Sequence, residues 1–483
     1  MKLTCHDVAA AVHGVLHGPN AFVNGVSTDT RALTAGQLFV PLRGPHFDGH
    51  AFIDAAFATG AAASLVAGDS ERRLDDHRVY IEVPDTQVAL GDLGRAWALR
   101  VGATRVAITG SNGKTTTKDF VALVLGAYGA THKTWGNHNN LIGLPLTLLA
   151  MAEGTRYAAL EMGMNVPGEI AALTHIGMPH IGLVTSIGAA HLEGLGSIEG
   201  VAAAKGELFL GLAPGATAIV NAFDARVAQL PVAPGVKRLV VGPKPGADLL
   251  LSRITREGTA GFSAVLTIGA ENHKLSVRSL ARHDVVNAAL AVAVVHALGL
   301  PLGPALGALA SASPEPAARR GRLGWVRTGS GVNIIDDTYN ANPASMRAAV
   351  EALCEVSAGV RRFAVLGDML ELGDGASALH RDIGMLASDL GVDALFAVGR
   401  YSDDYASGYD GDRVICGGDV PEVLDQLLTT VKKGDWVLVK GSRGARMERV
   451  VEALIDAGKA SSGSSGARLR AAMGTTGTGG SAA

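Results

Sequence analysis

Apolar positions in this chain come in short runs separated by helical stretches. A β-branched run over 105–108 reads as a buried strand. Gly110, Ser111, Asn112 and Gly113 turn the chain, Lys114 and three threonines follow, and 119–126 reads as an apolar helix. Before this unit, the pattern predicts a helix over 4–15 capped by Thr4, strands over 37–42, 62–66 and 79–83, and a helix over 51–59. After it, 141–149 turns apolar, 157–160 is a strand ending in Glu161, and 181–185 is another. Ser197 caps a helix over 197–210. Alternating runs over 249–277, broken at Glu257-Gly and Gly269-Ala-Glu-Asn, predict a β-meander at a sheet edge. An alanine- and valine-rich helix over 284–298 stops at Gly299 and Pro301. Pro314 to Pro316 marks a hinge. Beyond it, strands over 332–335, 363–366, 395–398, 413–416 and 436–439 alternate with helices, which is the pattern of a doubly wound sheet.

The expected fold class is α/β with three domains. A small α/β unit covers 1–95, a central P-loop mononucleotide-binding parallel sheet covers 96–313, and a Rossmann-like unit covers 314–458. From Lys459 the chain is rich in Ser, Gly, Ala and Thr without periodicity, so 459–483 is expected to be disordered.

Composition narrows the function. The 483 residues are 48% hydrophobic and 18% charged, with a net charge of −3. That balance gives no electrostatic case for nucleic acid or an anionic membrane. No apolar run of about 18 residues predicts a membrane span. Cys5, Cys354 and Cys416 have neither metal nor disulfide spacing. With no secretory signal at the start, they fit a reducing cytoplasm. A monomer is expected.

Strand, glycine loop and Gly-Lys-Thr opening a helix is the geometry that holds nucleotide phosphates. Thr109 to Thr116 would supply backbone N–H groups, Lys114 would reach the terminal phosphates, and Thr115 would ligate Mg²⁺. The motif departs from the full pattern at Ile108, where a first glycine would stand. Ligands of open parallel sheets sit beyond the carboxyl ends of strands. Three such ends carry Thr109, Glu161 and, just beyond the third, His191. Glu161 offers a hard oxygen for Mg²⁺. Lys205 has three readings: a snorkelling lysine, a cation aimed at phosphate, or a lysine carbamylated by CO₂ into a metal ligand. In the third segment, Asp336 and Asp337 could meet ribose or a metal and Tyr339 could flank a base. Gly367-Asp-Met-Leu-Glu-Leu-Gly373 and Lys440-Gly-Ser-Arg-Gly444 end two more strands.

Together these stretches resemble the Mur ligases, the ATP-dependent amide-bond-forming enzymes of peptidoglycan synthesis. The carriers of the resemblance are Thr109 to Thr116, Ser27-Thr-Asp-Thr-Arg31, Asp48-Gly-His50, Gly136-Asn-His-Asn-Asn140, Leu160-Glu-Met-Gly163, His191-Leu-Glu193, Ala204-Lys-Gly-Glu207, Asp336-Asp-Thr-Tyr-Asn-Ala-Asn342 and Gly367 to Gly373. They span nearly all of the chain except the tail. The resemblance implies ATP and Mg²⁺ as cofactors, with a UDP-N-acetylmuramoyl-tripeptide and D-alanyl-D-alanine as partners. It implies that Ser27, Asp29, Thr30, Arg31, Asp48, Gly49 and His50 bind the UDP-sugar. Asn139 and Asn140 would meet the substrate near its reacting end, with Tyr339, Asn340, Asn342 and Asp368 as further substrate contacts. It also implies adenine contacts at His283 and Asn287, and phosphate and ribose contacts at Arg322 and Asp337. The Mg²⁺ ligands would be Thr115, Glu161, His191 and a carbamylated Lys205, and the catalytic groups Lys114, Lys205 and His191. Two positions depart from the family pattern: Ser186 replaces an asparagine and Ala189 an acid. The rivals are another Mur ligase or a folylpolyglutamate synthase, a P-loop switch or motor, and an inactive scaffold. The Asp336 to Asn342 and Gly367 to Gly373 stretches weigh against the first pair.

Overall fold

The strand Thr104–Thr109 is buried over all but its first residue, because it lies third in a nine-stranded sheet with helices on both faces. The computed structural model describes residues 1–70, 77–188, 192–312 and 321–459. In spatial order the large sheet runs Thr131–Lys133, Tyr157–Glu161, Thr104–Thr109, Ile181–Val184, Thr217–Asn221, Lys237–Gly242, Leu249–Arg256, Phe262–Ile268 and Glu271–Val277. The first seven strands are parallel and the last two pairings antiparallel, so the expected meander is the sheet's edge. Val106 and Ile108 point into one core, against the helices Lys114–Gly126 and His283–Ala297. Ala107 points into the other, with Val201 and Leu208 of the helix Ile198–Leu210. A strand covered on both faces needs no polar alternation, which is why these segments read as continuous apolar runs.

The third segment forms a six-stranded sheet in the order Gly324–Arg327, Asn333–Asp337, Trp436–Lys440, Arg362–Gly367, Ala394–Val398 and Val414–Gly417. All pairings are parallel except that of the edge strand Gly324–Arg327. The five expected strands are present. The edge strand alternates exposed and covered positions and carries no apolar run to announce it. The first segment builds a five-stranded sheet, Val15–His17, Tyr80–Val83, Ala63–Ala67, Leu38–Phe39 and Val26–Ser27, flanked by two short ribbons.

Several boundaries move. The first helix is capped by Thr4 in a capping box with Asp7, but it spans only Cys5–Ala11. His13 takes a left-handed φ of 52°, and Val15 has already joined a strand. The expected helix over 51–59 is a 3₁₀ turn, Gly49–Phe52, followed by the helix Ile53–Ala58. The expected break between residues 95 and 96 falls inside the helix Thr86–Val101, which Asp85 caps and Gly102 ends at φ 70°. Its Trp97 donates from Nε1 to the Met151 carbonyl at 3.0 Å, so this helix joins the first sheet's core to the second's. The strands Thr131–Lys133, Thr217–Asn221 and Lys237–Gly242 were not among the expected elements; the first is a three-residue polar segment with no apolar run to mark it. Lys459 closes a helix over 448–459. His191, Ala189, the expected hinge at Pro314 to Pro316 and the tail from 460 lie outside the described residues. Among the described residues no helix is long and apolar enough to cross a membrane.

Candidate active site

The strands ending in Thr109, Glu161 and Val184 are neighbours, and their carboxyl ends face a cavity of about 690 Å³ that the third sheet also lines. The glycine loop at its base is built by close approach. Gly110 has φ 148°, and a Cβ there would lie 1.9 Å from Thr185 Oγ1. Gly113, at φ 79°, opens the helix Lys114–Gly126, and its Cβ would lie 2.9 Å from Asn287 Oδ1. Only glycine satisfies both the backbone angle and the space. Ser186 cradles the loop: its carbonyl accepts the Ser111 N–H at 2.8 Å and its Oγ accepts the Asn112 N–H at 3.0 Å.

Lys114 folds back on the loop, donating from Nζ to the Gly110 carbonyl at 2.7 Å and the Ser111 carbonyl at 3.3 Å. Burial lowers its pKa; Glu161 opposes that shift and Arg322 adds to it. Thr115 Oγ1 donates to Glu161 Oε2 at 2.8 Å, and Asn139 Nδ2 donates to Glu161 Oε1 at 2.9 Å. Glu161 is 3% exposed and opens on the cavity. Lys205 also lines the cavity and is only 1% exposed, which excludes the snorkelling reading. Among the described residues no hydrogen bond or ion pair holds its amine. Burial first, and then the neighbouring Lys114, push its pKa well below the usual lysine value. A buried cation beside a second cation calls for an anion or for loss of its proton.

The third sheet supplies the opposite wall. The Arg322 guanidinium stacks 3.8 Å from the centre of the Tyr339 ring. Lys440, 2% exposed, pairs with Asp337 Oδ2 at 2.6 Å and donates to the Asn340 carbonyl at 2.8 Å. Asp337 Oδ1 accepts the Leu323 N–H at 3.1 Å. Asp336 is turned into its own chain, accepting from Gly321 N–H and Thr338 Oγ1. Asn342 caps the helix Pro343–Val356 by accepting the Ser345 N–H at 2.9 Å. Its Nδ2 donates to Asn112 Oδ1 at 2.7 Å, joining the third sheet's strap to the phosphate loop. His283 and Asn287 stand one turn apart on the helix His283–Ala297 and both line the cavity.

The cavity thus gathers Ser111 to Thr116, Asn139, Asn140, Glu161, Lys205, His283, Asn287, Arg322, Asp337, Tyr339, Asn340 and Asn342. Thr109 and Gly110 lie beneath it as its base. Asp368 does not line it: both of its carboxylate oxygens accept N–H groups, of Arg400 and Tyr401. Asn221, Phe223, Asp224 and Lys440 line the cavity but were not among the expected site residues. The strand-end argument already applied to Lys440; Asn221 ends a strand that the pattern did not reveal.

The first sheet's polar loops lie apart from this cavity. Ser27 Oγ donates to the Asp29 carbonyl at 2.8 Å, and Arg31 grips Asp29 through Nε and Nη2 at 3.0 and 2.7 Å. Thr30 stands between them. That pairing lowers the Asp29 pKa to about 2. Asp48 caps the turn that begins at Gly49. Burial alone would raise its pKa, but the His50 N–H and imidazole and Arg43 bring it down to about 2. His50 Nδ1 meets Asp48 Oδ1 at 2.5 Å, and its Nε2 accepts the Ala67 N–H at 3.0 Å, which places the ring proton on Nδ1.

Three family models match the chain. They are described as Mur ligase family, catalytic domain, over residues 22–98; Mur ligase middle domain, over 108–295; and Mur ligase, glutamate ligase domain, over 321–443. The UDP-N-acetylmuramoyl-tripeptide–D-alanyl-D-alanine ligase of Bacillus subtilis is 37% identical over 471 residues, covering 94% of this chain and 99% of its own. A crystal structure of MurF from Acinetobacter baumannii superposes with a TM-score of 0.86 at 30% identity, over 94% of this chain and 99% of that one. MurF ligase from Thermotoga maritima, in complex with ADP, gives 0.79 at 29% identity, over 90% and 98%. With the phosphate loop, the strand-end carboxylate and the facing third sheet in place, and with relatives matching along nearly its whole length, this chain belongs to the Mur ligase family.

Proposed function

We propose that this chain is an ATP-dependent ligase that joins D-alanyl-D-alanine to UDP-N-acetylmuramoyl-tripeptide, giving the UDP-N-acetylmuramoyl-pentapeptide of peptidoglycan synthesis. The observation that carries it is the convergence of Lys114, Lys205 and Arg322 on one cavity over a glycine loop, with Arg322 contributed by a different sheet. Cations gathered there suit the triphosphate of ATP. The first sheet, with Ser27 to Arg31 and Asp48 to His50, takes the UDP-sugar. The second takes ATP, and the third adds nucleotide contacts and receives the dipeptide.

The reaction follows from the substrates. A carboxylate resists attack by an amine, so it must be activated. A carboxylate oxygen of the tripeptide attacks the γ-phosphorus, the bond to the β-phosphate oxygen breaks, and ADP leaves an acyl phosphate behind. The dipeptide's amine, as the free base, attacks the acyl carbon, and a tetrahedral intermediate expels inorganic phosphate. Each amide bond consumes one ATP and yields one ADP and one phosphate. Backbone N–H groups of the loop, Lys114 and Arg322 hold the phosphates and offset the charge that spreads during transfer. Asn139, fixed by Glu161, and Asn140 orient the reacting carboxylate. His283 and Asn287 hold the adenine, Asp337 the ribose, and Tyr339, Asn340 and Asn342 complete the wall. Closure around the acyl phosphate keeps water from it.

The residues fit a magnesium ion. Thr115 and Glu161 place a hydroxyl and a carboxylate oxygen side by side, the hard donors this cation takes. His191 is a third candidate, outside the described residues. Lys205 is a fourth once its deprotonated amine adds CO₂ and becomes a carbamate, and its depressed pKa supports that addition. Bound magnesium would neutralise phosphate charge.

Phosphate release from ATP tests the reading. Release with UDP-N-acetylmuramoyl-tripeptide is expected to require D-alanyl-D-alanine, and single amino acids are expected not to replace it. Release without any peptide substrate would favour an ATPase switch. Release with another amine alone would change the acceptor and leave the mechanism.

A further inference from the structure

We infer that Asn342 is a positioning residue: through its hydrogen bond to Asn112, the phosphate loop sets the third sheet's Arg322 in place over the nucleotide cavity. This rests on the ATP-binding reading above. Asn342 performs two jobs with two atoms. Its Oδ1 accepts the Ser345 N–H at 2.9 Å and caps the helix Pro343–Val356; its Nδ2 donates to Asn112 Oδ1 at 2.7 Å. The capping bond is local to the helix. The second bond joins residues 230 positions apart and links two different sheets.

The chain between Asp337 and Asn342 is stiff enough to carry that position onward. Lys440 grips Asp337 and the Asn340 carbonyl at once, and Ser442 Oγ donates to the Ala341 carbonyl at 3.3 Å. Tyr339 in the same strap carries the Arg322 guanidinium on its ring, while Leu323 is tied to Asp337. Asn112 thus fixes the strap at one end, and Arg322 follows. The helix's far end is tied to the central sheet as well: Glu355 Oε2 accepts from Arg256 Nη2 at 2.9 Å. The helix Pro343–Val356 is therefore held at both ends. The polar contact at its N-terminal end is the one that touches the phosphate loop.

Asn342→Ser separates the two jobs. Serine caps a helix as well as asparagine but is too short to reach Asn112. The expected result is an unchanged thermal melt and a rise of about five- to tenfold in KM for ATP, the size expected from one lost hydrogen bond. ADP affinity measured by calorimetry falls by a similar factor. Small-angle scattering with ADP gives a larger radius of gyration than for the wild-type chain under the same conditions. Glu355→Ala serves as the comparison: it frees the other end of the helix from Arg256, and any change it makes in KM for ATP shrinks with added salt, whereas that of Asn342→Ser does not. An Asn342→Ser enzyme with wild-type KM for ATP, ADP affinity and scattering would overturn the proposal. A wild-type enzyme that binds no nucleotide would instead overturn the ATP-binding reading, so the two failures are distinguishable. A lowered melting temperature for Asn342→Ser with KM for ATP and ADP affinity unchanged would assign Asn342 to helix capping alone and would also overturn it.

Discussion

The polar residues of the first sheet and those of the nucleotide cavity are organised in opposite ways. Around Asp29 and Asp48 every charge has a partner within its own loop: Arg31 for one, His50 and Arg43 for the other. In the cavity Lys440 and Asp337 pair, but Lys114, Lys205 and Arg322 face one another as cations. Lys205 is buried with no anion among the described residues to hold it, and Lys114 feels Arg322 as well as Glu161. Self-paired charge keeps a loop in shape before a ligand arrives, and the ligand must compete with the pair. Unbalanced buried charge raises the free energy of the empty site and is relieved only when an anion enters or a proton leaves. The two regions should therefore respond differently to mutation. Changes in the cavity should alter turnover far more than folding, and changes in the first sheet should alter folding or substrate affinity with little effect on chemistry.

The largest effect is expected at Lys114. Lys114→Ala removes the cation at the loop's tip, and kcat should fall by about 10²–10³ or more. Binding of the UDP-substrate, which we propose rests on the first sheet, should remain within about twofold of wild type, because sites that share no partners act independently. Isothermal titration with the UDP-substrate alongside phosphate release would check both halves. Near wild-type turnover would remove the basis of the phosphate-transfer scheme.

Lys205→Met comes next and has a two-sided outcome. Turnover should drop by about 10²-fold if the group holds phosphate or metal. Stability should rise. The folded-state pKa of Lys205 lies below its unfolded value, so between the two the unfolded chain binds more protons, and stability increases with pH across that window. Near neutral pH the wild-type chain carries this cost and the methionine variant does not. Thermal melts in CO₂-free buffer without nucleotide should show the variant melting higher at pH 7, with the gap narrowing as pH approaches the ordinary lysine value of 10.5. A variant that melts lower at pH 7 would mean that the amine has a counterion.

Much of this contrast could be read from sequence, for physical reasons that differ by residue. Lys114 and Glu161 were legible because each follows an apolar run whose end must face a ligand in a parallel sheet. Lys205 stood out as a charge on an apolar helical face, but its burial depends on the helix Ile198–Leu210 packing over the strands, which no local pattern encodes. Asn221 was lost with its five-residue strand, and Phe223 and Asp224 follow it in the chain. Asp368 looked like a site residue by the same strand-end logic, yet its oxygens are used by the N–H groups of Arg400 and Tyr401. The partner of Asn342 is 230 residues away, and spacing alone cannot supply such a contact.

His50→Ala probes the first sheet's self-sufficiency. The ring is 8% exposed and holds the Asp48 turn to the strand Ala63–Ala67 through the Ala67 N–H. Its removal leaves a buried N–H without an acceptor, at about 1–3 kcal/mol. Urea unfolding should show that loss, while kcat at saturating substrates stays within about twofold, because no part of the ring faces the cavity. A large fall in kcat without a stability change would place His50 in the chemistry and break the contrast.

The smallest effect tests whether self-pairing in the first sheet serves a ligand at all. The Arg31 side chain is 89% exposed and its pair with Asp29 lies in water. Such pairs add little to folding. Arg31→Ala should leave the melting temperature unchanged. The pair nevertheless pre-sets a guanidinium on a tight turn beside Ser27, a geometry that suits bidentate capture of a diphosphate. KM for the UDP-substrate should then rise roughly tenfold, the size of one charge-assisted hydrogen bond lost, and KM for ATP should not move. Lysine at this position should recover only part of the affinity, because a point charge lacks the fork that grips two oxygens. The same rise in an Asp29→Asn variant would show that the ion pair orients Arg31 for the ligand. Unchanged kinetics in both variants would reduce the Ser27 to Arg31 turn to scaffolding and move the UDP site elsewhere on the first sheet.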